Sequence, residues 1–224
     1  MKTIAIVNSK GGVGKTALAS HLAVHGVSLG LTVWLMDCDP QKSLTKLWAL
    51  RPNAANPELF NGTDDPGDAV VGLANGAAGA ADLLVIDTGP VGLEKIRAAI
   101  RAADFALVPM QVSQVDLDAA RPVLRMAYHG GKPFRVVFTF TTSKTLGGSE
   151  LRDLLGSEGF PVAESEFSWN EVVKVATFHG LTGIEAKDKK AAKETARLWG
   201  EVAPLLGLPV KPLPNAPKKG GSRS

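Results

Sequence analysis

The sequence has very little cysteine and no long apolar run. Cys38 is the single cysteine in 224 residues, so one chain forms neither an internal disulfide nor a cysteine-ligated metal or iron–sulfur cluster. No stretch reaches the ~18 uninterrupted apolar residues of a membrane-spanning helix. The N-terminal segment is apolar but lacks a small-residue cleavage site, which predicts a first strand and not a secretion signal. We therefore expect a cytoplasmic protein.

The composition is otherwise that of a globular domain, with 45% hydrophobic and 21% charged residues. The formal net charge of +3 hides an uneven distribution. From Lys174 to the C-terminus there are ten Lys or Arg residues against four Asp or Glu, whereas residues 1–173 carry 15 against 18. A basic C-terminal quarter favours a polyanionic partner.

Short apolar segments alternate with helix-like segments along the chain. The predicted strands are 2–8, 31–37, 82–87, 104–109 and 134–140, and the predicted helices are 15–29, about 42–50, 91–103, 115–129, 148–157, 169–179 and 188–206. This pattern predicts a single doubly wound α/β domain, with a mostly parallel sheet covered by helices on both faces. We assign the domain to residues 1–208, with a loop and a short helix in 51–80. The Pro/Gly-rich basic segment 209–224 is expected to be a disordered tail.

The strongest motif is a glycine-rich loop between the first strand and the first helix. Glycines allow the tight turn that points backbone N–H groups at phosphate oxygens, and the helix N-terminus adds its dipole. Lys15 is expected to contact the β- and γ-phosphates of a nucleotide, and the Thr16 hydroxyl to bind Mg²⁺. A glycine-rich turn without a ligand is disfavoured by the Gly-Lys-Thr ending between a strand and a helix. The expected nucleotide-binding residues are Lys10, Gly11, Gly12, Val13, Gly14, Lys15, Thr16 and Ala17.

Acidic residues end two of the predicted strands, where an α/β sheet binds its ligands. Asp37 and Asp39 end the second strand in the string Met-Asp-Cys-Asp-Pro-Gln, and Asp87 ends the third after Leu-Leu-Val-Ile. A buried strand that ends in an acid delivers a carboxylate beside Mg²⁺, which is the role predicted for Asp87. Asp37 and Asp39 equally suit the capping of the next helix, so this pair alone is a weak signal.

These motifs together resemble the ParA/MinD superfamily of deviant Walker A P-loop ATPases. The loop has Ser9 where the ordinary motif has its first glycine, and it carries the additional Lys10. The Asp-x-Asp-Pro-Gln string and the segment 106–118 strengthen the resemblance, which is greatest to short ParA/ParF-type partition ATPases. It implies a P-loop NTPase fold with ATP and Mg²⁺ as cofactors. It also implies roles for three residues: Lys10 reaches the nucleotide of a second subunit, Asp39 orients the attacking water, and Asp37 supports the metal region.

The last predicted helix carries a row of cations. Lys189, Lys193 and Arg197 recur every four residues, apart from an apolar stripe predicted at Ala192, Thr195, Trp199, Val202 and Leu206. Such a row can follow a nucleic-acid backbone without reading bases, although most such rows are solvated helix faces. The family resemblance implies that basic residues near the C-terminus hold nonspecific DNA. The expected DNA-binding residues are Lys187, Lys189, Lys190, Lys193 and Arg197.

The resemblance implies an ATP-driven switch. Two subunits sandwich ATP as a homodimer, bind nonspecific DNA at the nucleoid, and hydrolyse ATP slowly until a separate ParB-like adaptor on the cargo stimulates them. The cargo is plasmid DNA, chromosomal DNA or a protein assembly. A MinD-like membrane-associated positioning ATPase is one alternative, but the four prolines of the tail replace the amphipathic helix that it needs, so no stable membrane anchoring is expected. An ATP-dependent metabolic ligase on the same loop is another, and it requires a small-molecule pocket.

Overall fold

The computed structural model describes residues 1–51, 57–61, 68, 80–141 and 147–212. In this part of the chain the strands are β1 (Lys2–Ile6), β2 (Val33–Asp37), β3 (Glu58–Asn61), β4 (Leu83–Asp87), β5 (Phe105–Met110) and β6 (Phe134–Phe138). The helices are α1 (Lys15–Ser28), α2 (Ser43–Ala49), α3 (Leu93–Ala102), α4 (Gln114–His129), α5 (Gly148–Ser157), α6 (Glu171–Phe178) and α7 (Lys189–Leu206). Among the described residues, no helix is both long enough and apolar enough to cross a membrane.

All six strands are parallel and lie in the order β3-β2-β4-β1-β5-β6. The central strand β4 pairs with β1 on one side and β2 on the other, and Asp87 is in register with both Ile6 and Asp37. The carboxyl ends of these three strands therefore meet at one edge of the sheet. This confirms the predicted doubly wound fold and brings the glycine-rich loop next to the acids that end β2 and β4.

Helices cover both faces of the sheet. On one face α1 and α7 pack together over strand residues such as Ile4, Leu35 and Val85. On the other face α3 and α4 pack together over residues such as Ala5, Ile86 and Val108. Because both faces are buried, the strands are nearly all apolar and show no alternation of polar and apolar side chains.

Local signals set several helix ends. The Ser113 side chain accepts a hydrogen bond from the Asp116 N–H and begins α4, and the Asp188 side chain accepts one from the Ala191 N–H and begins α7. Gly207, with φ +69°, ends α7 in the left-handed conformation. These caps explain why most predicted helix bounds differ from the structure by one or two residues.

The sequence pattern missed one strand. β3 lies within 51–80, for which a loop and a short helix were predicted. It forms the sheet edge beside β2, where the Phe60 ring packs on Trp34 with 4.8 Å between ring centroids. A four-residue strand with two apolar residues is too short for a periodic signal, and pairing with β2 stabilises it. The predicted short helix and residues 213–224 of the predicted tail fall outside the described residues. At the start of that tail, the Pro209 carbonyl accepts a hydrogen bond from the Trp199 indole at 2.8 Å.

The apolar stripe of α7 is wider than predicted. Ala192 is only half-buried, and Ala191, Leu198 and Ala203 complete the buried face. The wider face forms because α7 packs over both α1 and the adjoining strands.

A buried histidine joins α1 to the segment before α7. His21 Nδ1 donates to the Ala17 carbonyl at 2.8 Å, and Nε2 accepts from the Gly183 N–H at 2.9 Å. Burial lowers the pKa of His21 to about 4, so the ring is neutral at physiological pH. Both ring nitrogens are occupied within the protein, so the side chain acts as a structural bridge.

Replacement of Gly183 tests this junction. A Cβ at this position would lie 2.7 Å from Ala191 Cβ and 2.8 Å from Val173 Cγ2. Gly183→Ala is therefore expected to lower the free energy of unfolding by about 1–3 kcal/mol, because the core is overpacked. Urea denaturation measures the change.

Gly200→Ala is the matched control, because nothing lies within 4 Å of a Cβ there. In mid-helix it should raise stability by about 0.5–1 kcal/mol. Equal stability of the two variants would contradict the close packing at Gly183.

Candidate active site

The glycine-rich loop turns tightly between β1 and α1. Gly12 (φ +72°) and Gly14 (φ +85°) adopt the left-handed conformation that favours glycine. A Cβ on Gly14 would also lie 3.4 Å from the ring of Phe140. The loop thus requires glycine at Gly14 for both its backbone angle and its packing, and it presents the N-terminus of α1 to the cavity beside it.

This cavity has a volume of about 320 Å³ and lies at the carboxyl edge of the sheet. Six of the eight predicted nucleotide-binding residues line it. Val13 is instead buried behind the loop, where its carbonyl accepts from the Thr139 hydroxyl at 2.9 Å. Lys10 contributes its backbone to the loop, and its side chain does not line the cavity. The cavity is lined by Gly11, Gly12, Gly14, Lys15, Thr16, Ala17, Asp39, Gln41, Ser43, Gly89, Pro90, Phe140 and Trp169.

Lys15 is buried at the base of the loop. Its ammonium donates to the Lys10 carbonyl at 2.7 Å, across the loop. Burial lowers the pKa of Lys15 to about 8, although the carboxylates of Asp87 and Asp39 oppose this shift. A buried ammonium with one carbonyl partner is well placed to exchange that partner for an anionic ligand in the cavity.

Thr16 and Asp87 meet at the bottom of the cavity. The Thr16 hydroxyl donates to Asp87 Oδ2 at 2.5 Å, and the Gly89 N–H donates to Oδ1 at 3.2 Å. The Asp87 side chain is completely buried, and burial raises its pKa to about 6, although these hydrogen bonds lower it. A hydroxyl hydrogen-bonded to a buried carboxylate is a pair of oxygen donors of the kind that suits Mg²⁺.

The structure places Asp37 beside this pair but engages both of its oxygens elsewhere. Oδ2 accepts from the N–H and hydroxyl of Thr45 at 2.8 and 2.6 Å, and Oδ1 accepts from the Asp39 N–H at 3.0 Å. The carboxylate therefore holds the first turn of α2 and the loop before it. A role of Asp37 at a metal stays a prediction, and Asp87 is the carboxylate that contacts Thr16.

Asp39 is buried at the side of the cavity. Its Oδ1 accepts from the Gln41 N–H at 2.8 Å, which fixes the carboxylate after the end of β2. No other hydrogen bond to this carboxylate exists among the described residues, so Oδ2 has capacity to accept one. Asp39 and Lys15 line the same cavity, as the sequence predicts for residues that act on one phosphate group.

Gly89 is a site residue whose role the sequence did not reveal. It has φ +61°, and a Cβ on it would lie 2.4 Å from Asp39 Cγ. The backbone after β4 therefore packs directly on the Asp39 side chain. The sequence predicts a mobile switch at Thr88, Gly89 and Pro90 after Asp87, but no local signal indicates the contact with Asp39.

Lys10 lies at the outer side of the loop. Its ammonium is 2.9 Å from Asp116 Oδ1, and the Ser113 hydroxyl donates to Oδ2 of the same carboxylate. Asp116 is buried at the start of α4, whereas about a third of the Lys10 side chain is exposed. From the sequence alone Asp116 has no assigned catalytic role, because helix capping explains an acid at this position nearly as well, and the structure adds the ion pair with Lys10.

Two aromatic residues at the cavity edge were also missed. Phe140 has an unusual φ of +56°, and its ring packs on Trp169 with 5.6 Å between ring centroids. Both rings line the cavity. They come from separate segments after β6 and before α6, so no local sequence motif connects them.

The five cations predicted to bind DNA are all exposed, and the row of Lys189, Lys193 and Arg197 lies on the outer side of α7. The row has acidic neighbours. Lys190 is 3.7 Å from Glu194, and Arg197 shares a cavity with four glutamates, Glu164, Glu166, Glu194 and Glu201. A DNA-binding role for these residues stays a prediction.

The contact between Gly89 and Asp39 can be tested directly. Gly89→Ala is expected to slow ATP hydrolysis by about 100-fold, because the new Cβ displaces Asp39 by the ångström or so that misaligns a catalytic group. Nucleotide affinity should change little, since Lys15 and the loop remain in place. Steady-state hydrolysis and nucleotide titration measure the two effects.

Gly92→Ala is the control, because a Cβ there meets nothing within 4 Å and Gly92 has an ordinary extended conformation. Hydrolysis by Gly89→Ala at the rate of Gly92→Ala would show that the contact has no part in positioning Asp39.

Comparison with known proteins agrees with this geometry. A family model described as the CobQ/CobB/MinD/ParA nucleotide binding domain matches residues 4–182. The chain is 28% identical over 207 residues to the Maintenance of carboxysome distribution protein A of Gloeobacter kilaueensis, covering 87% of this chain and 89% of that one. It is 31% identical over 120 residues to Protein ParA of Rhizobium radiobacter, covering 52% and 51% of the two chains.

The fold is shared with the septum site-determining protein MinD of Pyrococcus horikoshii OT3 in its complex with Mg-ADP. The TM-score is 0.75 at 18% identity, and the match covers 92% of this chain and 97% of MinD. The family predicted from the motifs is confirmed, whereas the ParF-type branch stays a prediction. Because the matching family model spans well over half of the sequence, the chain belongs to the CobQ/CobB/MinD/ParA family of nucleotide-binding domains.

Proposed function

We propose that this protein is an ATP-dependent positioning ATPase, which converts ATP and water to ADP and phosphate slowly unless a partner stimulates it. One observation carries the proposal: Lys15, Thr16 and Asp39 line one cavity at the carboxyl edge of the sheet, and the buried Asp87 accepts a hydrogen bond from Thr16 directly behind it. They provide a phosphate-binding cation, metal-binding oxygens and a water-orienting carboxylate. The family membership and the Mg-ADP complex of the related MinD fold support it.

The phosphate groups would contact the loop N–H groups and the Lys15 ammonium. When the Lys15 ammonium releases the Lys10 carbonyl, it loses a hydrogen bond to a neutral acceptor. It gains one to an anionic phosphate oxygen, which is the stronger of the two in a buried site. Thr16 and Asp87 would hold Mg²⁺, which supplies positive charge against the phosphate oxygens during phosphoryl transfer. The raised pKa of Asp87 supports this, because a buried carboxylate is stabilised by a bound cation.

Asp39 would orient the attacking water. Its Oδ1 is held by the Gln41 N–H, so Oδ2 is the oxygen that accepts from the water. The backbone at Gly89 packs against the other side of the carboxylate and restricts its rotation. Positioning of this kind supplies much of the rate enhancement in phosphoryl transfer.

The adenine base would stack on the aromatic pair formed by Phe140 and Trp169. These rings line the same cavity as Lys15. Aromatic side chains bind the flat faces of bases by stacking. The glycine at Gly14 leaves room for the Phe140 ring against the loop.

Lys10 would act in a homodimer that encloses two nucleotides. In the structure its ammonium pairs with Asp116, and it must leave this carboxylate to reach a partner's nucleotide. A second cation at the γ-phosphate stabilises charge in the transition state. Hydrolysis would therefore depend on dimerisation.

The cargo would be DNA or a protein assembly, carried through a separate adaptor protein. One relative is named for carboxysome distribution and another is named ParA, which is why both cargoes are retained. The dimer would bind nonspecific DNA through Lys187, Lys189, Lys190, Lys193 and Arg197 and so associate with the nucleoid.

Two substitutions separate nucleotide binding from hydrolysis. Lys15→Ala is expected to abolish nucleotide binding because the buried cation is lost, whereas Lys46→Ala on the exposed side of α2 serves as a control. Asp39→Ala should bind ATP normally and hydrolyse it about 10²–10⁴-fold more slowly, as expected for loss of a proton-accepting group. Fluorescent-nucleotide titration and phosphate release measure the two steps. Near-normal affinity in Lys15→Ala, or wild-type turnover in Asp39→Ala, would contradict the assignment.

DNA binding tests the cellular role. Anisotropy of a labelled random-sequence duplex is measured over a potassium chloride series, with Mg²⁺ and either ATP or ADP. We expect binding with ATP only and a steep loss of affinity with salt, because phosphate contacts release counterions. The triple variant Lys189→Gln/Lys193→Gln/Arg197→Gln should show a shallower slope of log affinity against log salt concentration, with the magnitude reduced by about one for each lost contact. Absence of wild-type binding with either nucleotide would reject the DNA-based mechanism.

A further inference from the structure

A groove with cationic walls lies between α3 and α4, on the sheet face opposite α7. We call it the α3–α4 groove; it has a volume of about 680 Å³. Arg97 and Arg101 lie four residues apart on α3, and Arg125 and His129 lie four residues apart on α4. Each pair is thus separated by about 6 Å along its helix axis and follows one side of the groove. Lys132 lies at the end where both helices finish.

The arginines of this groove have no partners among the described residues. Within the part of the chain that the structure describes, neither a hydrogen bond nor an ion pair engages Arg97, Arg101 or Arg125, and no acidic side chain is among the residues that line the groove. Three other arginines, Arg51, Arg121 and Arg152, each pair with a glutamate instead. Three unpaired guanidinium groups around one concavity are electrostatically unfavourable to each other, and an anionic ligand relieves this.

The groove differs from the cationic row on α7 in the acidic residues that lie nearby. There Arg197 shares a cavity with four glutamates, and Lys190 pairs with Glu194. These carboxylates offset much of the local positive potential. The α3–α4 groove keeps its positive charge, so it attracts a polyanion more strongly per cation.

We infer that the α3–α4 groove is a DNA-contacting surface, in which Arg97, Arg101 and Arg125 bind phosphates of the duplex backbone. Guanidinium groups bind phosphate oxygens through paired N–H donors, and such contacts are independent of base sequence. The inference rests on the proposed DNA binding and adds a contact face to it. The groove and α7 lie on opposite faces of the sheet, so substitutions on one surface leave the other unchanged and the two can be tested separately.

The test compares two charge-matched variants. Arg97→Gln/Arg101→Gln/Arg125→Gln removes three cations from the groove, and Lys46→Gln/Lys174→Gln/Lys211→Gln removes three exposed cations outside it. With Mg-ATP, the groove variant should bind the duplex at least ~10-fold more weakly than the wild type. The slope of log affinity against log salt concentration should decrease in magnitude by about three, because each phosphate contact contributes about one. The control variant should bind nearly as the wild type does.

The outcomes separate this inference from the proposed function. Wild-type DNA affinity in the groove variant overturns the inference, while DNA binding itself stands. No DNA binding by the wild-type protein removes both. Equal weakening in the two triple variants also overturns it, because only net charge would then matter.

A second measurement uses the wild-type protein and therefore does not require any variant to fold. Phenylglyoxal modifies exposed arginines of the wild-type protein, and mass spectrometry reads each position with and without duplex DNA. Protection of Arg97, Arg101 and Arg125 by DNA, with Arg121 unaffected because it is paired with Glu158, supports the inference. Unchanged modification of the three groove arginines overturns it.

Discussion

The hydrogen bond between Thr16 and Asp87 joins the two segments on which the rest of the site depends. Thr16 lies in the first turn of α1, directly after the glycine-rich loop, and Asp87 ends the central strand β4. Since β1 and β4 are adjacent and in register, the loop after β1 and the acid after β4 meet without any further adjustment of the chain. The buried Lys15 then lies close enough to Asp87 for their charges to interact. Parallel strand pairing therefore assembles the site, and the loop glycines permit its shape.

Packing constrains the carboxylates as strongly as charge does. Asp37 holds the start of α2 through Thr45, and Asp39 is fixed between the Gln41 N–H and the backbone of Gly89. Neither carboxylate is free to rotate, so the cavity presents a fixed geometry before any ligand arrives. Such preorganisation lowers the cost of ordering groups when a ligand binds.

The two outer layers of the fold distribute charge differently. On α7 the cations alternate with glutamates that also bind backbone N–H groups, as Glu194 does with Ser168 and Glu201 with Ser165. On α3 and α4 the arginines stand without such partners around a concave surface. The glutamates of α7 thus hold the preceding segment against the helix and stabilise the fold. Their negative charge also lowers the positive potential around the cations of α7. Net charge along the sequence does not distinguish these two surfaces.

Four features can be predicted from the sequence, because contiguous residues or strand and helix periodicity encode each of them: the family, the parallel α/β fold, the loop that holds Lys15 and Thr16, and the position of Asp87 at a strand end. Four others follow from the packing of distant elements: the edge strand β3, the pairing of Lys10 with Asp116, the contact of Gly89 with Asp39, and the groove between α3 and α4. These features join residues far apart in the chain. Their contacts arise from the packing of whole elements, and packing leaves no local pattern in the order of amino acids.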